Sequence, residues 1–121
     1  MAKRSKNETL LCRWLRQSYP LLVVLNNDKH LIPGYEVDVV LPELKLGIEW
    51  NGITHHQPIY GKDKLNEVQT RDRRRAEIAT ESGVHLIVVT DPGAYNPHFV
   101  KEQLEQLWVI IDALLSAPSC D

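Results

Sequence analysis

Cysteine is scarce here, with only two among 121 residues, and so are phenylalanine and methionine, with one each. Cys12 and Cys120 lie near opposite ends of the chain and match no zinc-ligand spacing. That excludes a cysteine metal site and makes a disulfide framework a poor expectation, so a reducing, cytoplasmic setting is expected. No run of about 18 apolar residues occurs, so no membrane-spanning helix is expected. The basic opening MAKRSKNE lacks the apolar core of a secretory signal. No internal repeat or low-complexity stretch is present. An excess of one charge is missing too: the net charge is −2, which by itself points to no polyanionic partner.

What is present is ordinary globular composition, 43% hydrophobic and 25% charged, in a length that fits one domain spanning residues 1–121. The charges are unevenly placed. Lys3, Arg4, Lys6, Arg13 and Arg16 make the first helical region basic, and Lys62, Lys64, Arg71, Arg73, Arg74 and Arg75 form a second basic segment. Beyond Ala76 the only lysine or arginine is Lys101. Such blocks are either solvated helix faces or one cationic side of the molecule.

Periodicity and punctuation give an α-β-β-β-α-β-α order. Ser5-Lys6-Asn7-Glu8 has the form of a capping box and opens a helix to about Ser18, ended by Pro20. The apolar run 21–25 predicts a buried strand, and Asn26-Asn27-Asp28-Lys29 a turn. Residues 36–41 and 45–50 predict two strands joined at Pro42-Glu43-Leu44. A polar loop over 51–61 leads to a helix over 63–82, stopped by Gly83. Residues 84–90 predict a strand too uniformly apolar for a solvated edge, and 97–115 a C-terminal amphipathic helix. Leu65, Val68, Asp72, Ala76 and Ala79 recur at three- and four-residue spacing, which predicts that they face the sheet together.

The stretch YEVDVVLPELKLGIEWN, residues 35–51, carries the functional signal. Asp38 stands between Val37 and Val39, and Glu49 between Ile48 and Trp50. A carboxylate in a half-buried β-branched run costs several kcal/mol unless compensated, of the order of about 2–7 kcal/mol even for neutral polar groups. Two on neighbouring strands also repel. A hard divalent cation such as Mg²⁺, with Mn²⁺ as substitute, would compensate both, because it takes oxygen ligands and leaves places for water and phosphate. Asp38, Glu49 and the Trp50 carbonyl are therefore the metal-ligand candidates. His55 or His56 could act as general base or acid, and Asp72 points inward toward them. The acids have structural alternatives: Asp38 as a strand-end or salt-bridged residue, Glu49 paired with Lys45 or an arginine, and Asp72 as a buried partner of Arg75 or of the N-terminal helix.

The order and these acids resemble the PD-(D/E)XK restriction-endonuclease-like core. Glu36-Val37-Asp38-Val39-Val40-Leu41-Pro42 through Ile48-Glu49-Trp50-Asn51-Gly52, with His56, is similar to phage and intron-associated homing nucleases. Gln69-Thr70-Arg71-Asp72-Arg73-Arg74-Arg75 through Gly83-Val84-His85-Leu86-Ile87-Val88-Val89 is similar to very-short-patch repair endonucleases. Both belong to the EDxHD branch, and the resemblance covers roughly residues 5–91. It implies an αβββαβ core with a central mixed four-stranded sheet flanked by helices, to which the C-terminal helix is extra. It also implies a Mg²⁺-dependent DNA endonuclease of homing or repair type, acting in the nucleoid or in a phage-infected cytoplasm. By position, Glu8, Asp38, His56 and Asp72 take the branch's site roles, or His55 in place of His56. Asn51 stands where the general motif has lysine, and the zinc cysteines of the mismatch-repair members are missing. Lys62, Lys64, Arg71, Arg73, Arg74 and Arg75, with Asn51, are the expected DNA contacts, with a homodimer or separate recognition domain supplying specificity. The alternatives are a Holliday-junction or other structure-specific resolvase, and a non-catalytic DNA-binding domain of the same fold.

Overall fold

Helix α1, Lys6–Ser18, starts where Ser5 caps it: the Ser5 hydroxyl accepts the Glu8 amide. That satisfies one of the orphan donors of the first turn. The computed structural model describes residues 5–52 and 62–116, the side chains of 62–66 and 68 excepted. After α1 come strands β1, Leu25–Ile32, β2, Tyr35–Leu41, and β3, Leu46–Asn51, then helix α2, Lys62–Glu81, strand β4, His85–Thr90, and helix α3, Pro97–Ser116. The molecule is an α/β fold with one four-stranded mixed sheet in the order β1-β2-β3-β4. The first three strands are antiparallel neighbours, and β4 lies parallel to β3. A parallel neighbour requires a long crossover, which α2 provides.

Two layers of helix cover the sheet. On one face Leu10, Leu11 and Leu15 of α1 and Val100, Leu104, Leu107 and Ile111 of α3 pack on Val39, Leu41, Leu46, Ile48, Trp50 and Val89. Each such leucine or isoleucine, once buried, contributes about 1.5–3 kcal/mol of transfer free energy. The other face has a smaller core of Ile32, Val37, Val40, Ala79 and Val84, with Ile78 and Leu86 against it, beneath α2. The Cβ-less Gly47 lets Leu31 and Val37 close over β3 on this face, since an added Cβ would lie 3.0 Å from a side-chain carbon of each.

The first strand is not the apolar run. Leu21 is 93% exposed, and the polar segment taken as a turn, Asn26 to Lys29, is itself in β1. The reason is its place at the outside of the sheet, where one-sided pairing tolerates a polar strand. Asn26 pairs with Val39 and Asp28 with Val37, and the ladder is irregular before Ile32. The reversal that matters comes later, at Pro33-Gly34, where Gly34 takes φ +84, the left-handed position that suits glycine in a tight turn. β4 departs from expectation as well: among the described residues it is the other outer strand, and Val88 is 51% exposed. Its apolar pattern reflects burial of Val89 on the face that α1 and α3 cover. The stop at Gly83 stands, with the Val84 amide reaching back to the Ala79 carbonyl at 2.8 Å.

Asp91, just past β4, fastens these parts together. Its carboxylate accepts from Ser5 Oγ at 2.8 Å, Asn7 Nδ2 at 3.2 Å, Trp50 Nε1 at 2.7 Å and the Gly93 amide at 2.7 Å. Burial opposes its charge, but these four donors outweigh it and hold its pKa below the ordinary carboxylate value. A depressed folded-state pKa gives stability that is present above the unfolded value and lost as pH falls through the folded one. Asp91→Asn, which can keep only part of this acceptor set, is expected to cost about 1–3 kcal/mol in urea unfolding at neutral pH.

Candidate active site

The antiparallel ladder of β2 and β3 is recorded from Leu41↔Leu46 to Val39↔Ile48. The next rung would pair Asp38 with Glu49. There the Asp38 carboxylate takes over: its Oδ2 accepts the backbone amide of Trp50 at 2.7 Å. A strand residue's N–H and C=O project toward the same neighbour. The Trp50 carbonyl is therefore also on the β2 side, whereas the Asn51 carbonyl on the opposite side accepts the Asp91 amide at 2.8 Å. Local chemistry thus turns two acids and one carbonyl toward one spot, at the C-terminal end of the parallel pair β3 and β4.

Glu49 is the buried member, 8% exposed. Burial pushes its pKa up first, the adjacent Asp38 carboxylate adds to this, and Arg75 works against it; the charge of Asp72 raises it further, to about 8. The Arg75 guanidinium comes from α2 and lies 3.4 Å from Glu49 Oε1 and 3.0 Å from Asp72 Oδ1. Its side chain is only 7% exposed. Glu49 Oε2, Asn51 Oδ1 and Arg75 Nε are buried without a hydrogen-bond partner among the described residues.

The sequence-predicted residues are distributed as follows. Asp38, Glu49 and Asp72 come together. Arg75 joins them, in the cluster rather than on the outer surface with the other arginines, because only there does its charge offset buried carboxylates. The inward face of α2 is shifted accordingly: Arg75 and Ala79 are buried and Asp72 is half-buried, whereas Ala76 is exposed. Asn51 is buried on β3, 3% exposed, which removes it from an open DNA-contacting surface. Glu8 is buried in the first turn of α1, at the end of the sheet to which Ser5 and Asn7 bind Asp91. Arg71, Arg73 and Arg74 are exposed on α2. His55 and His56 lie outside the described residues, as do the side chains of Lys62, Lys64, Leu65 and Val68. Asp91 was missed as an organising residue; its sequence signal, an acid between a strand and Pro-Gly, is that of any turn.

A hard cation fits this donor set. Glu49 Oε2 is a buried oxygen with no described donor, Asp38 is beside it, and the Trp50 carbonyl is turned the same way. No group of three His, Cys, Asp or Glu side chains suited to a metal occurs among the described residues. Two carboxylates with carbonyl and water ligands is a mode Mg²⁺ uses, and one that thiophilic metals do not.

The raised Glu49 value has a testable sign. A carboxyl protonated more tightly in the folded state stabilises fully below its unfolded pKa. That contribution is lost as pH rises through the folded value. Between roughly pH 4.5 and 8, in chelator, stability should fall by an amount on the order of a few kcal/mol. Thermal unfolding of Glu49→Gln should lack this slope, and Mg²⁺ should flatten it in the wild type.

The chain matches no model of a known protein family, and no curated protein sequence is significantly similar to it. Function must therefore be argued from the chain's own residues.

Proposed function

We propose that this chain is a small Mg²⁺-dependent DNA endonuclease built on a restriction-endonuclease-like αβββαβ core. The observation that carries the reading is the meeting of Asp38 and Glu49 on adjacent strands, one with a buried, unpartnered oxygen, beneath a helix whose outer side is basic. Asp38, Glu49 and the Trp50 carbonyl would hold Mg²⁺, which when bound supplies Lewis-acid polarisation of the phosphodiester and an activated water. Arg75 neutralises part of the carboxylate charge and aligns Glu49 through Oε1. Asp72 holds Arg75 in turn. His56 or His55 is proposed to move the proton at the attacking water or leaving oxygen, and Glu8 to close the site from α1. Arg71, Arg73 and Arg74, with Lys62 and Lys64, would hold phosphates, giving salt-dependent and largely sequence-neutral affinity.

A resolvase reading is favoured by one observation, the outward apolar residues of α3: Trp108 is 38%, Val109 71% and Leu115 50% exposed. A homodimer through that face would suit a two-fold symmetric junction. Supercoiled plasmid, linear duplex and four-way junction, each incubated with Mg²⁺, Mn²⁺ or chelator, distinguish the readings. Metal-dependent nicking or linearisation of plasmid is the expected result. Cleavage confined to junctions favours the resolvase, and binding without cleavage in any metal leaves a non-catalytic DNA-binding domain.

A further inference from the structure

We propose that the groove between α2 and the β1–β2 hairpin binds an unpaired nucleotide, its base stacked at Tyr35 and its phosphate held by Arg71 and Arg74. The groove has a volume of about 500 Å³ and is lined by Tyr35, Glu67, Thr70, Arg71 and Arg74. Its helical wall follows the three- and four-residue spacing of a single stripe. That stripe is rotated about 100° from the inward one of Asp72, Arg75 and Ala79. Its four residues are exposed, and Tyr35 is half-buried. The guanidinium of Arg71 sits over the Tyr35 ring, 6.0 Å from its centroid, so a base stacking there takes its place and leaves it free to turn to the phosphate. An aromatic face beside two cations and a hydroxyl is the combination that receives single-stranded nucleic acid, where stacking holds the base and ionic contacts track the backbone.

The occupant is an unpaired nucleotide because a base within duplex has both faces covered by its neighbours, so it offers none to Tyr35. The phosphate is anionic and complements Arg71 and Arg74, which outnumber the Glu67 carboxylate one helical turn before Arg71 in the same lining. Tyr35 precedes Asp38 by three residues on β2, about 10 Å of strand. Both lie toward the same end of the sheet. A DNA strand crossing the carboxylates would therefore reach the groove next, and a substrate with unpaired bases beside the cut would be preferred. That adjacency rests on the endonuclease reading above; affinity of the groove for unpaired strands does not.

The test is fluorescence anisotropy in chelator, using the full chain with a short labelled single-stranded oligodeoxynucleotide and with duplex of equal length. Tyr35→Leu keeps apolar bulk and removes the stacking face, so single-strand affinity should fall about ten-fold while duplex affinity holds. Tyr35→Phe should bind both as the wild type does. Arg71→Gln combined with Arg74→Gln should weaken single-strand binding and reduce its salt dependence. Quenching of 2-aminopurine in the oligonucleotide should be lost with Tyr35→Leu alone among the Tyr35 variants. Single-strand affinity unchanged in Tyr35→Leu, or falling equally for duplex, overturns the proposal. A wild type that shows the Tyr35 effect but cleaves nothing in Mg²⁺ keeps the groove and removes the endonuclease. Metal-dependent cleavage without a Tyr35 effect does the reverse.

Discussion

Replacing Asp38 with asparagine should reduce Mg²⁺-dependent plasmid cleavage at least about 10³-fold, equivalent to about 4 kcal/mol of barrier, while leaving the fold as stable as before or more so. The two halves of this expectation have different physical sources. Asparagine retains an oxygen that can accept the Trp50 amide, the contact that Asp38 makes at 2.7 Å, so the end of the β2–β3 ladder stays closed. It removes a negative charge beside Glu49, one of the reasons the Glu49 carboxyl is pushed up to about 8. Relief of that repulsion favours folding. Loss of a carboxylate ligand opposes metal binding. Urea unfolding and plasmid nicking, measured on the same preparation, should move in opposite directions, as expected of a charge retained for chemistry.

Arg75→Met should cost about 3–5 kcal/mol of stability, because it removes the cation from a buried group and leaves Glu49 and Asp72 without it. The guanidinium lies 3.4 Å from Glu49 and 3.0 Å from Asp72. Adding Glu49→Gln should recover part of the loss, and the coupling in the double-mutant cycle should fall in the range of about 0.5–3 kcal/mol usual for contacting residues. Arg73→Ala, on the exposed side of the same helix, is the control: its effect on urea unfolding should stay within about 0.5 kcal/mol. If Arg75→Met unfolded no more easily than Arg73→Ala, the guanidinium would not be compensating the carboxylates.

Much of the fold was legible in the sequence because most of its elements are marked by local chemistry. The serine cap of α1, the stop at Gly83 and the spacing of Val100, Leu104, Leu107 and Ile111 each depend on nearby residues. The failures occur where tertiary placement decides. Leu21 and Val23 look like a strand but are exposed, and Asn26 to Lys29 look like a turn but lie in β1, where Asn26 and Asp28 pair with β2. Uniform apolarity placed β4 inside the sheet, yet that pattern serves its two covered faces, Ile87 and Val89 under α1 and α3 and Leu86 under α2, and says nothing of the outer edge. In the site, Asp38 and Glu49 were readable as costly charges in β-branched surroundings. Arg75 was readable only as a possible partner of Asp72, a pairing the structure holds at 3.0 Å. That it is also the arginine on Glu49 was not, since four arginines in five residues from Arg71 to Arg75 differ only in helical angle, and the inward one is fixed by where α2 crosses the sheet. Asp91 gave no warning because three of its four donors, Ser5, Asn7 and Trp50, come from two distant parts of the chain.

The central claim is that Asp38 and Glu49 exist as a pair to share one divalent cation. Crystals soaked in Mn²⁺ near pH 8 and measured at the manganese absorption edge test it directly. The account predicts one anomalous peak within about 2.0–2.4 Å of an oxygen from each carboxylate, the range of hard-cation ligation. No such peak, or a peak touching neither side chain while Arg75 remains on Glu49, would contradict it.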